Sequence, residues 1–313
     1  MLRDLHFETT DAGAGRRLDA FLSARCPAST PALVRRAIER GEVGVDGTAC
    51  RAKGRKLAAG QRVSVARLLE AADICVAPEP SLALALVYDD ADLLAANKPA
   101  GQAVHPLDPD ETGTLANALV ARFPELAGVG DQPLLACIVH RIDTDTSGLV
   151  LAARSAASHA AMRRQFAGRE VRKTYLALAT GAVARAAELA HDLVHQPWRR
   201  GRMVAARHAP GAKRPMRAVT AFRPLRRVGP DTLLEVAILT GVTHQIRCQL
   251  ALAGHPLVGD TLYGAPPVPG FDRHFLHASA IDLRHPSTGA PLHIEAPPTA
   301  DLVEFLERRG VTL

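Results

Sequence analysis

Residues 139–148 read "VHRIDTDTSG". Two aspartates, Asp143 and Asp145, stand two positions apart, after a histidine and an arginine and before hydroxyls and a glycine. The run is too polar and turn-prone for a buried strand. "ACIVHRID" (136–143) enters it with the apolar, β-branched character of a strand, and "GLVLAAR" (148–154) leaves it in the same way. The acids are therefore expected on a loop at a sheet edge, a favoured place for chemistry. Asx-turns and caps use the same residue types, so the stretch alone supports a catalytic and a purely structural reading equally.

The surroundings decide the fold class. "LALALVYDD" (82–90) and "DLLAANKP" (92–99) read as two strands around an acidic turn. Ser155 to Ala167 fits a helix ended by Gly168, and "VRKTYLALATG" (171–181) fits a strand. "TLLEVAIL" (232–239) alternates, with Leu234, Val236 and Ile238 on one face. "THQIRCQLALAG" (243–254) reads as a helix capped by Thr243 and stopped by Gly254. Residues 274–297 form two strands around Pro-Ser-Thr-Gly, a hairpin. Many strands, hairpin connections and few intervening helices predict an α+β fold with a mostly antiparallel mixed sheet, not a doubly wound parallel one.

The chain has 313 residues, 47% hydrophobic and 22% charged, as expected of a soluble globular protein. No apolar run approaches the ~18 residues of a membrane span, and the N-terminus lacks a secretory h-region. Five cysteines without a CxxC pair read as free thiols of a reducing cytoplasm. The net charge is +6. Residues 1–66 carry 12 Lys/Arg against 7 Asp/Glu, a net of +5, which leaves +1 for the rest. A small basic head on a nearly neutral body suits a polyanion partner, though a solvated basic surface has the same composition.

Within that head, residues 16–26 and 29–41 read as helices. The second has Ser29 as its cap, Pro31 in its first turn and Gly41 as its end, with Arg35, Arg36 and Arg40 left outside the apolar stripe. Asp46-Gly47 is a tight turn and Arg62–Val65 a short strand. Residues 15–66 resemble the small α/β RNA-binding domain shared by a ribosomal small-subunit protein and bacterial tyrosyl-tRNA synthetases, with Thr30 where that family has an arginine. Residues 67–80, ending in Pro-Glu-Pro, lose the pattern and read as a linker to a second domain, 81–313.

Metal and nucleotide chemistry find no support in the spacing. His191 and His195 flank a segment that reads as a turn, and His274 and His277 lie three apart in a strand, pointing to opposite faces. No GxxxxGK[ST], no GxGxxG after a strand and no GxSxG elbow is found. Neither a metal nor a cofactor is expected.

Several segments together carry a more specific resemblance. "HRIDTDTSG" (140–148) is similar to the HRLD-x-x-TSG signature of the pseudouridine synthases that modify large-subunit ribosomal RNA and some transfer RNAs. "NKPAGQAVHP" (97–106), "RKTYLALATG" (172–181), "TGVTHQIRCQLALAGHPLVGDTLYG" (240–264), "FLHA" (275–278) and the "HPSTG" hairpin match that family in order, over residues 80–300. Ile142 replaces the usual Leu, a volume-conserving swap, and Val242 replaces the usual Arg, which removes a cation.

The resemblance implies a pseudouridine synthase catalytic domain. It implies Asp143 as the catalytic carboxylate, Arg247 as its guanidinium partner, and Tyr175 as the tyrosine that stacks on the target base and assists loss of the C5 proton. Asp145, at a variable position, is read as a turn residue. Asp143 could attack C1′, attack C6 of the base, or remove the 2′ proton. Arg141 either inserts toward RNA or forms a structural salt bridge. "WRRGRMVAARHAPGAKRPMR" (198–217) holds seven Lys/Arg and no acid. It reads as a phosphate-gripping loop with Arg199, Arg200, Arg202, Lys213 and Arg214, and Arg163, Arg164, Arg169, Arg172 and Lys173 extend that surface. The expected partner is RNA, ribosomal before transfer, with no membrane, and the expected enzyme is a cytoplasmic isomerase, monomeric by default. A catalytically inactive assembly factor and a glycosidic-bond hydrolase are the rival classes; the latter would need a second carboxylate.

Overall fold

The computed structural model describes residues 1–196 and 201–312, which fall into two compact units, Met1–Cys75 and Val76–Leu313.

The first unit has β1 (Leu2–Glu8), α1 (Leu18–Arg25), α2 (Pro31–Arg40), β2 (Val43–Val45), β3 (Thr48–Ala49) and β4 (Arg62–Leu68). Its sheet runs β1-β4-β2-β3. Leu18, Leu22, Val34 and Ile38 from the helices meet Val43 and Val63 from the sheet in one core. Thr30, not Ser29, caps α2: its side chain accepts from the Leu33 N–H, while Ser29 is buried. Gly41 ends the helix at φ 79°, the left-handed conformation glycine adopts without a Cβ clash. Strand β1 was not expected from the sequence, because its exposed acids, Asp4 and Glu8, obscure the alternation that pairs it with β4. Strand β4 runs on to Leu68, so residues 67 and 68 belong to this sheet rather than to a linker.

The second unit is built on β5 (Leu86–Asp89), β6 (Leu93–Lys98), α3 (Leu115–Arg122), β7 (Ser147–Ala153), α4 (Ala156–Gly168), β8 (Arg172–Ala179), β9 (Ala187–His195), β10 (Met203–Ala205), β11 (Met216–Val228), β12 (Asp231–Ile238), α5 (Gln245–Leu252), β13 (Leu276–Arg284), β14 (Pro291–Glu295) and α6 (Ala300–Glu307). One ten-stranded sheet is ordered β10-β9-β11-β12-β8-β13-β7-β6-β5, with β14 on β13. Its pairings are antiparallel except β13 with β7. This is the expected α+β, mostly antiparallel mixed sheet. Leu234, Val236 and Ile238 share the main core with Leu149, Leu151, Ile246 and Leu250.

Three local expectations are corrected. Residues 136–142 are not a regular strand. They lie along β7, where Ile138 bridges Ala152 and the Leu151 N–H donates to His140 Nε2 at 3.0 Å, so a side chain replaces a backbone carbonyl as acceptor. His191 and His195 sit within strand β9, not on a turn. Gly168 is the last residue of α4, and Arg169 takes the left-handed cap at φ 59°. The five cysteines are free, all buried except Cys75. No helix among the described residues is long and apolar enough to cross a membrane.

Candidate active site

The turn after His140 is held from several directions. The Thr146 N–H donates to the Asp143 carbonyl at 3.1 Å and closes it. The Thr144 carbonyl accepts from Lys98 Nζ at 2.9 Å and from the Gly101 N–H at 3.0 Å. The Asp145 carbonyl accepts from Arg273 Nη1 at 3.2 Å, and Thr146 Oγ1 lies 2.7 Å from His274 Nε2. Lys98 is fully buried, and its ammonium also donates to the Pro99 and Gln102 carbonyls at 2.7 Å each. Burial pulls its pKa down to about 7, against the pull of Asp145 and Asp143.

Immediately after the turn, β7 crosses β13 at Gly148 and Ala278. Gly148 has φ 110°, and a Cβ there would stand 2.3 Å from the Ala278 carbonyl oxygen. Only glycine lets the two backbones approach so closely. The crossing puts the turn beside β8, because Ala278 also pairs with Tyr175.

Asp143, Tyr175 and Arg247, far apart in sequence, line one cleft together with Arg141, Lys173 and His244. Arg247 Nη1 donates to Asp143 Oδ2 at 3.1 Å. The Asp143 side chain keeps 22% of its exposure, enough to meet a ligand, whereas that of Arg247 keeps 9%. Nε and Nη2 of Arg247 donate to Asp260 at 2.7 and 2.9 Å in a bidentate pair. Burial disfavours the guanidinium charge, but Asp260 and Asp143 more than reverse this and raise its pKa. Tyr175 is buried in the sheet centre, and its phenol is pushed well up by burial and then by the charge of Asp143. A buried neutral phenol beside an arginine-held carboxylate suits a flat neutral ring that lies on the phenol and meets the carboxylate.

The expected Thr243 cap of α5 is replaced. The N-cap is His244, left-handed at φ 52° and without a side-chain cap bond. Gln245 secures the loop instead, accepting from Thr240 Oγ1 at 2.8 Å and donating to the Val219 carbonyl at 2.8 Å.

A family model described as RNA pseudouridylate synthase matches residues 92–252, which hold Asp143, Tyr175 and Arg247. The chain belongs to that family. A relative named ribosomal large subunit pseudouridine synthase D, from Xanthomonas campestris, is 35% identical over 95% of this chain and 89% of its own. An uncharacterized RNA pseudouridine synthase of Bacillus subtilis is 33% identical over 98% of both chains. The solved human RNA pseudouridylate synthase domain containing 1 is 28% identical, covers 72% of this chain and 89% of its own, and superposes with a TM-score of 0.55. The synthase is thus an isomerase that converts uridine to pseudouridine in RNA.

The expected RNA-contacting residues are scattered. Arg141 is exposed at the cleft, and no carboxylate among the described residues pairs with it. Arg35 and Arg40 are exposed on α2 and Arg36 is half-buried. Arg199 and Arg200 lie outside the described residues. Residues 198–217 are not one loop: β10 occupies 203–205 and β11 begins at Met216. Lys213 and Arg214 are exposed, while Arg202 is half-buried with its guanidinium 5.4 Å from the Tyr263 ring centre. Lys173 is not on a surface; it is buried, donates to the Thr240 carbonyl at 3.0 Å, and burial lowers its pKa to about 8. Val242, where an arginine was expected, packs against the buried cluster of Cys248 and Tyr263. Sequence reasoning missed Asp260, Lys98 and His244 as parts of the site, although each lies in a quoted matching segment. One trio of potential metal ligands, Asp90, Asp92 and His285, is engaged internally: Tyr88 and His285 reach Asp90 at 2.6 and 2.8 Å, and Ser158 and Ser287 donate to Asp92 at 2.8 and 2.6 Å.

Proposed function

We propose that the synthase modifies uridine in large-subunit ribosomal RNA, with Asp143 as the catalytic carboxylate. The observation that carries this is the 3.1 Å contact from Arg247 to Asp143 Oδ2 in a cleft shared with Tyr175. Cleaving the N1–C1′ bond and joining C5 to C1′ needs an ionised carboxylate in a closed pocket. Arg247 holds the Asp143 carboxylate and aims it. Tyr175 offers a ring face to the uracil after the uridine has left its stack, and its hydroxyl relays the C5 proton to solvent water, giving up its own proton as it takes that one. Arg141 meets the RNA at the cleft mouth.

Ribosomal RNA is favoured by the names of the relatives and by the basic first unit, read as an RNA-binding domain with Arg35, Arg36 and Arg40 on its contact face. Arg199, Arg200, Arg202, Lys213 and Arg214 belong to the same phosphate-binding reading. The synthase is read as a cytoplasmic monomer that needs no cofactor, metal or membrane. Release of tritium from large-subunit ribosomal RNA transcribed with 5-tritiated uridine tests the proposal. Release from transfer RNA alone would redirect the substrate, and release of free uracil would make the enzyme a hydrolase.

A further inference from the structure

His244 faces Asp143 from the start of α5. Its Nε2 is 3.7 Å from Asp143 Oδ2, the oxygen that Arg247 also reaches. Its Nδ1 lies 3.1 Å from the Tyr263 hydroxyl, with the two rings edge to face. That hydroxyl accepts the backbone N–H of Met203 at 2.9 Å. A phenol that accepts one hydrogen bond still has its own proton to give. The acceptor facing it is His244 Nδ1. An Nδ1 that accepts leaves the neutral ring with its proton on Nε2, directed at Asp143. His244 also holds a left-handed backbone, which residues with a Cβ seldom adopt. Burial holds the ring below the ordinary imidazole range; Arg247 and His195 add to this, and Asp143 and Asp260 oppose it.

We propose that His244 is a positioning residue: Tyr263 locks it as the neutral Nε2–H tautomer, and this N–H joins Arg247 Nη1 in holding Oδ2 of Asp143, so that Oδ1 is presented to the uridine. The inference rests on Asp143 being the catalytic carboxylate. At 3.7 Å the pair is longer than a hydrogen bond, and the proposed bond forms in the complex with RNA, where catalytic hydrogen bonds commonly tighten. His244 transfers no proton in this role.

Two amides separate this role from the others. Glutamine places its amide nitrogen as many bonds from Cα as ring Nε2, whereas asparagine places it where Nδ1 stands. His244→Gln should keep kcat within about threefold of the parent, while His244→Asn and His244→Ala should lose about tenfold, as expected for one hydrogen bond to a charged group. KM should stay within about twofold, because the bond acts on the reacting group rather than on RNA binding. Tyr263→Phe, which frees the tautomer, should lose about threefold to tenfold in kcat. The assay is tritium release by the full chain from large-subunit ribosomal RNA carrying 5-tritiated uridine, with a melting curve for each variant.

Equal loss in the Gln, Asn and Ala variants would overturn the proposal in favour of proton transfer by the ring or of packing. Parent-like kcat in all three would overturn it outright. Asp143→Asn is run alongside: if it turns over, the choice of Asp143 fails first, and if it is inactive, the His244 series is decided on its own. Gln and Asn are both polar and close in size, so their comparison holds even if the alanine variant does not fold.

Discussion

Asp260 grips Arg247 through two hydrogen bonds of 2.7 and 2.9 Å, and only the remaining Nη1 reaches Asp143. The Asp260 side chain is 1% exposed, so this is a buried ion pair whose geometry fixes where the third bond points. Asp260→Asn keeps the shape and removes the charge. We expect kcat to fall by about 10²-fold, because the guanidinium loses one of its two anchoring acceptors, with roughly 3 kcal/mol of stability lost as the buried cation keeps only the more exposed Asp143 as its counter-charge. Tritium-release kinetics and a urea titration read both effects. Parent-like kcat would mean that Arg247 needs no anchor.

The two acids of the opening turn separate in the same assay. Asp143 is the one that Arg247 holds, and the Asp145 side chain lies exposed while its carbonyl is tied to Arg273. Asp143→Asn should bind RNA and make no pseudouridine. Asp145→Asn should keep activity within about threefold, as surface substitutions usually do. Complete loss in Asp145→Asn would reverse the assignment.

Gly148→Ala tests the crossing of β7 and β13. The new Cβ would stand 2.3 Å from the Ala278 oxygen and 2.5 Å from its nitrogen, at a φ of 110°. One strand must move, and Ala278 is paired with Tyr175. The variant should lose about 3 kcal/mol or more in urea unfolding and activity along with it. A parent-like unfolding midpoint would show that the crossing can relax.

The parts legible in the sequence were those with local signals. The alternation of Leu234, Val236 and Ile238 and the Pro31 and Gly41 punctuation of α2 each rest on neighbours within a few residues. Asp143 and Arg247 lie 104 positions apart, so periodicity could not join them; only the ordered run of matching segments did. Asp260 was missed because a Gly-Asp pair before a turn has the ordinary look of loop chemistry. The His244 cap was missed because a positive φ at a residue other than glycine leaves no compositional trace. Residues 136–142 read as a strand because strand composition reports burial, whereas their hydrogen bonds go partly to the His140 side chain.

Stability should depend on pH through buried neutral histidines. Burial lowers His140 to about 3 and His277 to about 4, from an ordinary 6.5. His140 Nε2 accepts the Leu151 N–H, which a protonated ring could not do. Between pH 6.5 and these values the unfolded chain binds protons that the folded chain does not. Their contribution is therefore complete above pH 6.5 and is lost as pH falls, by roughly 1.4 kcal/mol per pH unit for each group. His140→Gln, whose carbonyl can accept the same N–H, should show a shallower fall between pH 6.5 and 5 in urea titrations. An unchanged slope would mean that His140 does not remain neutral in the fold.

The proposed role of the first unit predicts a salt effect. Arg35 and Arg40 stand exposed on α2, with Arg36 half-buried between them. If these cations neutralise RNA phosphates, each contact releases a counterion, and the slope of log K against log salt shrinks by about 0.7 to 1 per contact removed. The triple variant Arg35→Ala, Arg36→Ala, Arg40→Ala should bind large-subunit ribosomal RNA more weakly at low salt, with a slope smaller by about two to three. Its kcat at saturating RNA should match the parent, because the carboxylate, the guanidinium and the tyrosine all lie in the other unit. Filter binding across a salt series measures the slope, and tritium release at saturation measures kcat. An unchanged slope would remove α2 from the RNA-binding surface.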